Sequence, residues 1–177
     1  IGLGLGVFYT FLGEGPFYFI RSLGMSSSGF GWVCAAGAIA YSIGCRVANN
    51  LINSGVDYRN VMLSGLVVKF LTYVLFLLFV GMGFVENNNL FVAGFGYYAV
   101  LFLVFLWVVA SFALSLILTP SFALVLENQV GNAGVAASWF GFFNNGMNAL
   151  INTGMAYIHA DLLYIMPLYF LFITVMM

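Results

Sequence analysis

Three carboxamides, Asn145, Asn148 and Asn152, stand three and four residues apart in an otherwise apolar run of this 177-residue chain. On a helix that spacing stacks them along one face. Amides are not acids, bases or nucleophiles; they supply paired hydrogen-bond donors and acceptors. The row begins earlier, with Gly131, Gly134, Ser138 and Gly141. One use of such a seam is close helix packing, with interhelical hydrogen bonds of about 0.6 kcal/mol each. The other is the lining of a cavity for polar or amphiphilic solutes, because carboxamides facing lipid are costly. Asn144 and Trp139, with Tyr9 and Phe17 from the first run, complete the amide and aromatic lining expected of such a cavity.

Two charged side chains fall inside apolar runs. Glu14 sits in Gly13-Glu14-Gly15-Pro16, where two glycines and a proline are expected to bend or unwind a helix. Membranes tolerate such breaks where they line a cavity. A carboxyl held there can take up and release a proton, so Glu14 is the proton-coupling candidate; the alternative is a headgroup-level acid pairing with Arg21. Lys69 lies about 13 Å into its run, within reach of the headgroups by snorkelling. Its rival reading is a pairing inside the bundle, with Glu127 as partner. His159 and Asp161 share an outer turn and are expected to be solvated.

An enzyme is not indicated: the sequence has no Ser/His/Asp constellation, no metal-ligand spacing and no phosphate-cradling glycine loop. Cys34 and Cys45 would lie about 16 Å apart along one helix, too far for a disulfide. No basic cluster exists to contact nucleic acid.

The elements that must hold these groups follow from the charge map. The chain is 64% hydrophobic and has only four basic and five acidic side chains. Arg21, Arg46, Asp57, Arg59, Glu86, Glu127 and Asp161 mark joints between apolar runs, as a bilayer demands when each unpaired charge costs roughly 2.5–3.5 kcal/mol. Six membrane-spanning helices are expected, at about 1–20, 29–49, 61–82, 92–118, 133–157 and 162–177. Ser26, Ser27 and Ser28 are candidate N-caps, Glu86-Asn87-Asn88-Asn89 is a break, and Pro120 opens the fourth connection. The Lys/Arg bias places 46–60, 120–132 and both termini in the cytoplasm. Ala36, Ala40, Gly44 and Ala48 form a small-residue row on the second span, and Ser111, Ser115 and Thr119 one face of the fourth. The chain opens at Ile1 inside an apolar run with no secretory signal before it, and reads as a piece of a longer protein.

Six spans with cytoplasmic ends resemble half of a major facilitator superfamily transporter. The resemblance is closest to the C-terminal half of the bicyclomycin- and chloramphenicol-resistance drug/proton antiporters. It is carried by Pro120-Ser121-Phe122-Ala123-Leu124 and by Ala133-Gly134-Val135-Ala136-Ala137-Ser138-Trp139-Phe140-Gly141-Phe142-Phe143-Asn144, where Asn144 stands at a family Gln. Pro16-Phe17, Gly24-Met25-Ser26 and Phe30-Gly31 add to it. Gly44, Arg46, Gly55 and Arg59 resemble the superfamily's cytoplasmic loop motif, with Ala48 where a polar residue is usual, and Glu14 replaces a small neutral residue.

The resemblance implies an all-α polytopic bundle, half of a major facilitator fold, whose preceding six-helix half is missing from this sequence and would carry much of the proton coupling. The expected function is proton-coupled efflux of small amphiphilic drugs by alternating access, in a bacterial inner membrane. Its partners would be the bilayer, the small-molecule substrate and the missing half, and its energy source a proton gradient with no cofactor. The alternatives are uptake of a sugar or organic anion on the same fold, and a self-contained six-helix membrane protein with a structural role. An anion carrier should show a basic residue in its cavity, and only Lys69 could serve.

Overall fold

The computed structural model describes residues 2–81, 96–127, 133–158 and 165–177, and these are helical except for short turns. The helices are α1 (Gly2–Pro16), α2 (Ser27–Asn53), α3 (Tyr58–Phe79), α4 (Gly96–Glu127), α5 (Ala133–Ile158) and α6 (Ile165–Val175). The expected break at Glu86–Asn89, the seam's first glycine Gly131, and His159 and Asp161 lie outside the described residues.

Boundaries follow local chemistry. Ser26 caps α2, its hydroxyl accepting from the Gly29 N–H at 3.1 Å, and the Asp57 carboxylate accepts from the Arg59 N–H at 3.2 Å to open α3. α2 runs past its expected end through Asn49, Asn50 and Asn53, because polar residues alone do not stop a helix. It stops where Gly55 takes a φ of 89°, which a residue with a side chain adopts at a cost.

Two expectations about proline are corrected. Pro120 lies inside α4, not at its end. Beside it the Ser121 hydroxyl donates to the Ile117 carbonyl at 2.6 Å. Glu14 likewise sits in continuous α-helix, and no unwinding occurs at Gly13–Pro16. Instead the helix widens after Pro16 into a π-helical segment, Phe17–Ser22. A wider turn is one way to pass a residue that cannot donate to the ladder.

Neighbouring contacts fix the helix directions. Gly2 meets Met147, Gly6 meets Ile151 and Thr10 bonds Asn152, so α1 and α5 are parallel. Gly37 meets Trp107 and Gly44 meets Ser115, so α2 and α4 are parallel. Gly65 against Ala113 and Ile117, with Phe79 against Phe102, makes α3 and α4 antiparallel. Lys69 against Met177, just past α6, and Tyr73 on Phe170 do the same for α3 and α6. Gly4 against Leu114 and Leu118, with Phe8 and Phe11 against Trp107, makes α1 antiparallel to α4, so successive helices alternate in direction. Helix α4 packs chiefly on α2 and α3, α1 on α5, and α3 on α6.

The small-residue row of α2 lies on the serine face of α4, as their sequences suggest. Ala40, Gly44 and Ala48 are buried, joined by Gly37 in place of Ala36, against Ser111 and Ser115. Both serines donate to their own helix, at 2.9 and 2.6 Å, while the Trp107 indole N–H lies against Gly37 with no hydrogen-bond partner among the described residues. Phe11, Phe19, Phe30 and Trp107 stack in the interior. The outside is apolar: Leu63, Val67, Leu71, Leu75 and Leu78 form an exposed stripe along α3, and Trp32 is 78% exposed. Helices α2 and α3, with Tyr98–Val125 of α4, are long and apolar enough to cross a membrane. Helix α5, 26 residues long, carries the amide row.

Candidate functional site

Where α1 and α5 run side by side, an open groove of about 470 Å³ lies between them. Its walls are Tyr9, Gly13 and Glu14 of α1 and Asn145, Asn148 and Asn152 of α5. The helices supply these side chains at i, i+4, i+5 and i, i+3, i+7, so each set faces one way. Gly6 sets the approach: a Cβ there would overlap the Ile151 side chain.

A hydrogen-bonded clamp forms the floor. The fully buried Thr10 hydroxyl is shared between the Gly6 carbonyl and the Asn152 carboxamide oxygen, each at 2.9 Å. The Asn152 amide nitrogen donates to the Asn148 backbone carbonyl, also at 2.9 Å. Thr10→Val removes the donor and leaves a buried oxygen unpaired, an expected loss of about 1–2 kcal/mol. The thermal midpoint of the purified protein should fall by a few degrees, roughly 2–8 °C, and Thr10→Ser should recover most of it; an unmoved midpoint would show the clamp to be idle.

Asn148 differs from its neighbours. It is 7% exposed, and among the described residues neither its amide nitrogen nor its carboxamide oxygen has a hydrogen-bond partner. Two unpaired buried groups on one side chain are uncommon, since each costs about 1–3 kcal/mol.

The structure thus brings together four of the expected cavity residues, Tyr9, Glu14, Asn145 and Asn148. It does not bring in three others. Phe17, on the π-helical segment, and Trp139, stacked on Phe143, are 52% and 58% exposed outside the groove. Asn144 turns toward Gly2 near the start of α1, its oxygen buried and, among the described residues, without a hydrogen-bond partner. One residue separates Asn144 from the Asn145 face, about 100° on a helix. Asn152 joins the groove from the seam, and Thr10 was missed; its position four residues before Glu14 is the available signal.

The loop-motif residues do not form one loop. Gly44 and Arg46 lie within α2, Gly55 in the turn and Arg59 in the first turn of α3, because α2 continues to Asn53. Arg46 and Arg59 are both exposed.

Lys69 corrects the snorkelling expectation. It is 1% exposed, and its ammonium meets the Met177 sulfur at 3.7 Å and the Tyr73 ring at 5.9 Å from the centroid. With Phe8, Trp107 and Ser111 it lines a crevice too narrow for a water molecule. The side chain of Glu127, its expected partner, lies outside the described residues. Among the described residues no cluster of His, Cys, Asp and Glu could hold a metal.

No family model, curated protein or solved structure matches the chain. What fold and groove define is an all-helical membrane protein with a polar groove between two parallel helices.

Proposed function

We propose that the chain is part of a proton-coupled secondary transporter exporting small amphiphilic compounds by alternating access. In this reading all six helices cross a bacterial inner membrane and form half of a major facilitator fold. A second six-helix half closes the groove. The observation that carries the reading is the groove itself: a carboxylate, three carboxamides and a phenol line one cleft in a molecule whose outer surface is apolar. Lipid cannot satisfy the unpaired carboxamide of Asn148, whereas a polar solute, water or a facing protein wall can.

One further feature supports it. Among the described residues the groove has aromatic and amide groups but no basic side chain, since Lys69 lies in a separate crevice; this favours amphiphile export over uptake of an organic anion.

The test is transport in proteoliposomes of the full-length protein, with ethidium as a fluorescent amphiphile. Glu14→Gln should abolish the response to an imposed pH gradient, and Asn145→Leu should slow ethidium movement about tenfold. Wild-type vesicles that move ethidium no faster than protein-free ones would overturn the reading.

A further inference from the structure

We infer that the groove recognises a neutral amide-type group on its solute, a primary amide, lactam or ureido edge, through the side chain of Asn148. The inference rests on the reading of the groove as a solute site and names the chemistry that site accepts.

Three groups in the groove must be distinguished. Asn152 is already committed, its oxygen to Thr10 and its nitrogen to the Asn148 carbonyl, so it holds the helices together. Asn145 is exposed at the rim. Among the described residues, Asn148 alone in the groove is buried with both ends of its carboxamide unused. A carboxamide presents one N–H donor and one carbonyl acceptor side by side in a plane. The group that satisfies both at once has an acceptor and a donor at the same spacing. Asparagine meets the paired donor and acceptor of adenine in this bidentate way. A hydroxyl satisfies only one end at a time, and an ammonium only the oxygen.

The neighbours narrow the class further. Glu14 on the facing helix brings a carboxylate to the same groove, which disfavours an anionic solute. Protonated carboxylic acids match Asn148 in shape but ionise at neutral pH and then present two acceptors. The Tyr9 ring, 46% exposed on the groove wall, offers a flat apolar surface beside the amide. A compact, neutral or cationic solute with an amide edge and a flat body fits all three.

Displacement of tritiated benzamide from the purified full-length protein in lipid nanodiscs tests this, with benzamide, benzylamine, benzoate and toluene as competitors. Benzamide should compete best and benzoate worst. Asn148→Leu should lower the ratio of benzamide to benzylamine affinity about tenfold or more. Asn148→Asp keeps the shape and exchanges the N–H donor for charge; it should lower the same ratio, by raising affinity for benzylamine as well as losing benzamide. Asn148→Gln, which retains the carboxamide, should recover part of it. A ratio that neither Leu nor Asp shifts would overturn the assignment of Asn148 while leaving the groove a solute site. If neither benzamide nor benzylamine binds the wild type, both this inference and the transport reading fall.

Discussion

A Gly44→Val protein is expected to unfold on the order of 10 °C below the wild type. Gly44 lies where α2 packs tightly against α4. A Cβ there would overlap the Ser115 hydroxyl and stand 2.9 Å from the Phe112 carbonyl oxygen. The hydroxyl could rotate away, but the carbonyl belongs to the backbone of α4 and cannot yield unless the helices separate. Valine adds two methyl groups to that Cβ, so separation must run along the whole seam from Gly37 to Ala48. Without a hydrophobic drive between helices in lipid, close packing is what holds such a pair, and its loss is not offset elsewhere. Gly31→Ala, on the same helix with nothing within 4 Å, serves as control; it should be neutral, or stabilising by up to about 1 kcal/mol through helix propensity. Thermal unfolding followed by dye labelling of Cys34 and Cys45, both half-buried, reads both variants. Equal midpoints would show that α2 is not seated on α4.

Lys69→Met should act in the opposite direction and stabilise the protein by about 1–4 kcal/mol. The ammonium is enclosed by α1, α3 and α4 and touches a thioether and one face of a tyrosine ring. A cation–π contact returns about 2 kcal/mol or somewhat more when desolvated, whereas removing an ammonium from water costs several. Methionine has a similar length, fills the same space and carries no charge. Lys69→Ala should instead destabilise by roughly 2–5 kcal/mol, because the vacated volume becomes a cavity. The same thermal assay reads both. A lower midpoint for Lys69→Met would mean that the ammonium is compensated in the folded protein. A stabilised variant that no longer moves ethidium would mark Lys69 as a residue kept for activity against the interest of the fold.

Some of this was written in the sequence plainly and some was not. Charge placement located the helices, because charge is excluded from hydrocarbon whatever the tertiary structure. The rows Ala40-Gly44-Ala48 and Ser111-Ser115 announced a close seam, since only small side chains let backbones approach. Glu14 and Asn148 stood out for the same reason: a polar group in an apolar run must meet something polar. What pattern could not supply was direction around the helix. Trp139 and Asn144 belong to the same apolar run as Asn148, yet one faces outward and the other toward Gly2, and only the packing of α5 on α1 decides which. Lys69 was misplaced because a long stem makes either escape or burial feasible, and the approach of Met177 from α6 resolves it. Both prolines looked like stops because their local cost is plain and the relief in the surrounding turns is not.

The π-helical segment at Phe17–Ser22 amounts to a spare residue stored in the first helix. Each wide turn accommodates one residue more than an α turn closed by the i−4 ladder. Drawing that residue into ordinary helix would lengthen α1 by about 1.5 Å and turn everything beyond it by about 100°. Phe17 and Arg21 would then face different neighbours, while Tyr9, Gly13 and Glu14, upstream of the segment, would keep their places on the groove. The chain between Pro16 and Leu23 can thus absorb a one-residue insertion or deletion as a change of winding, which uncouples the chain beyond α1 from the register that the groove requires.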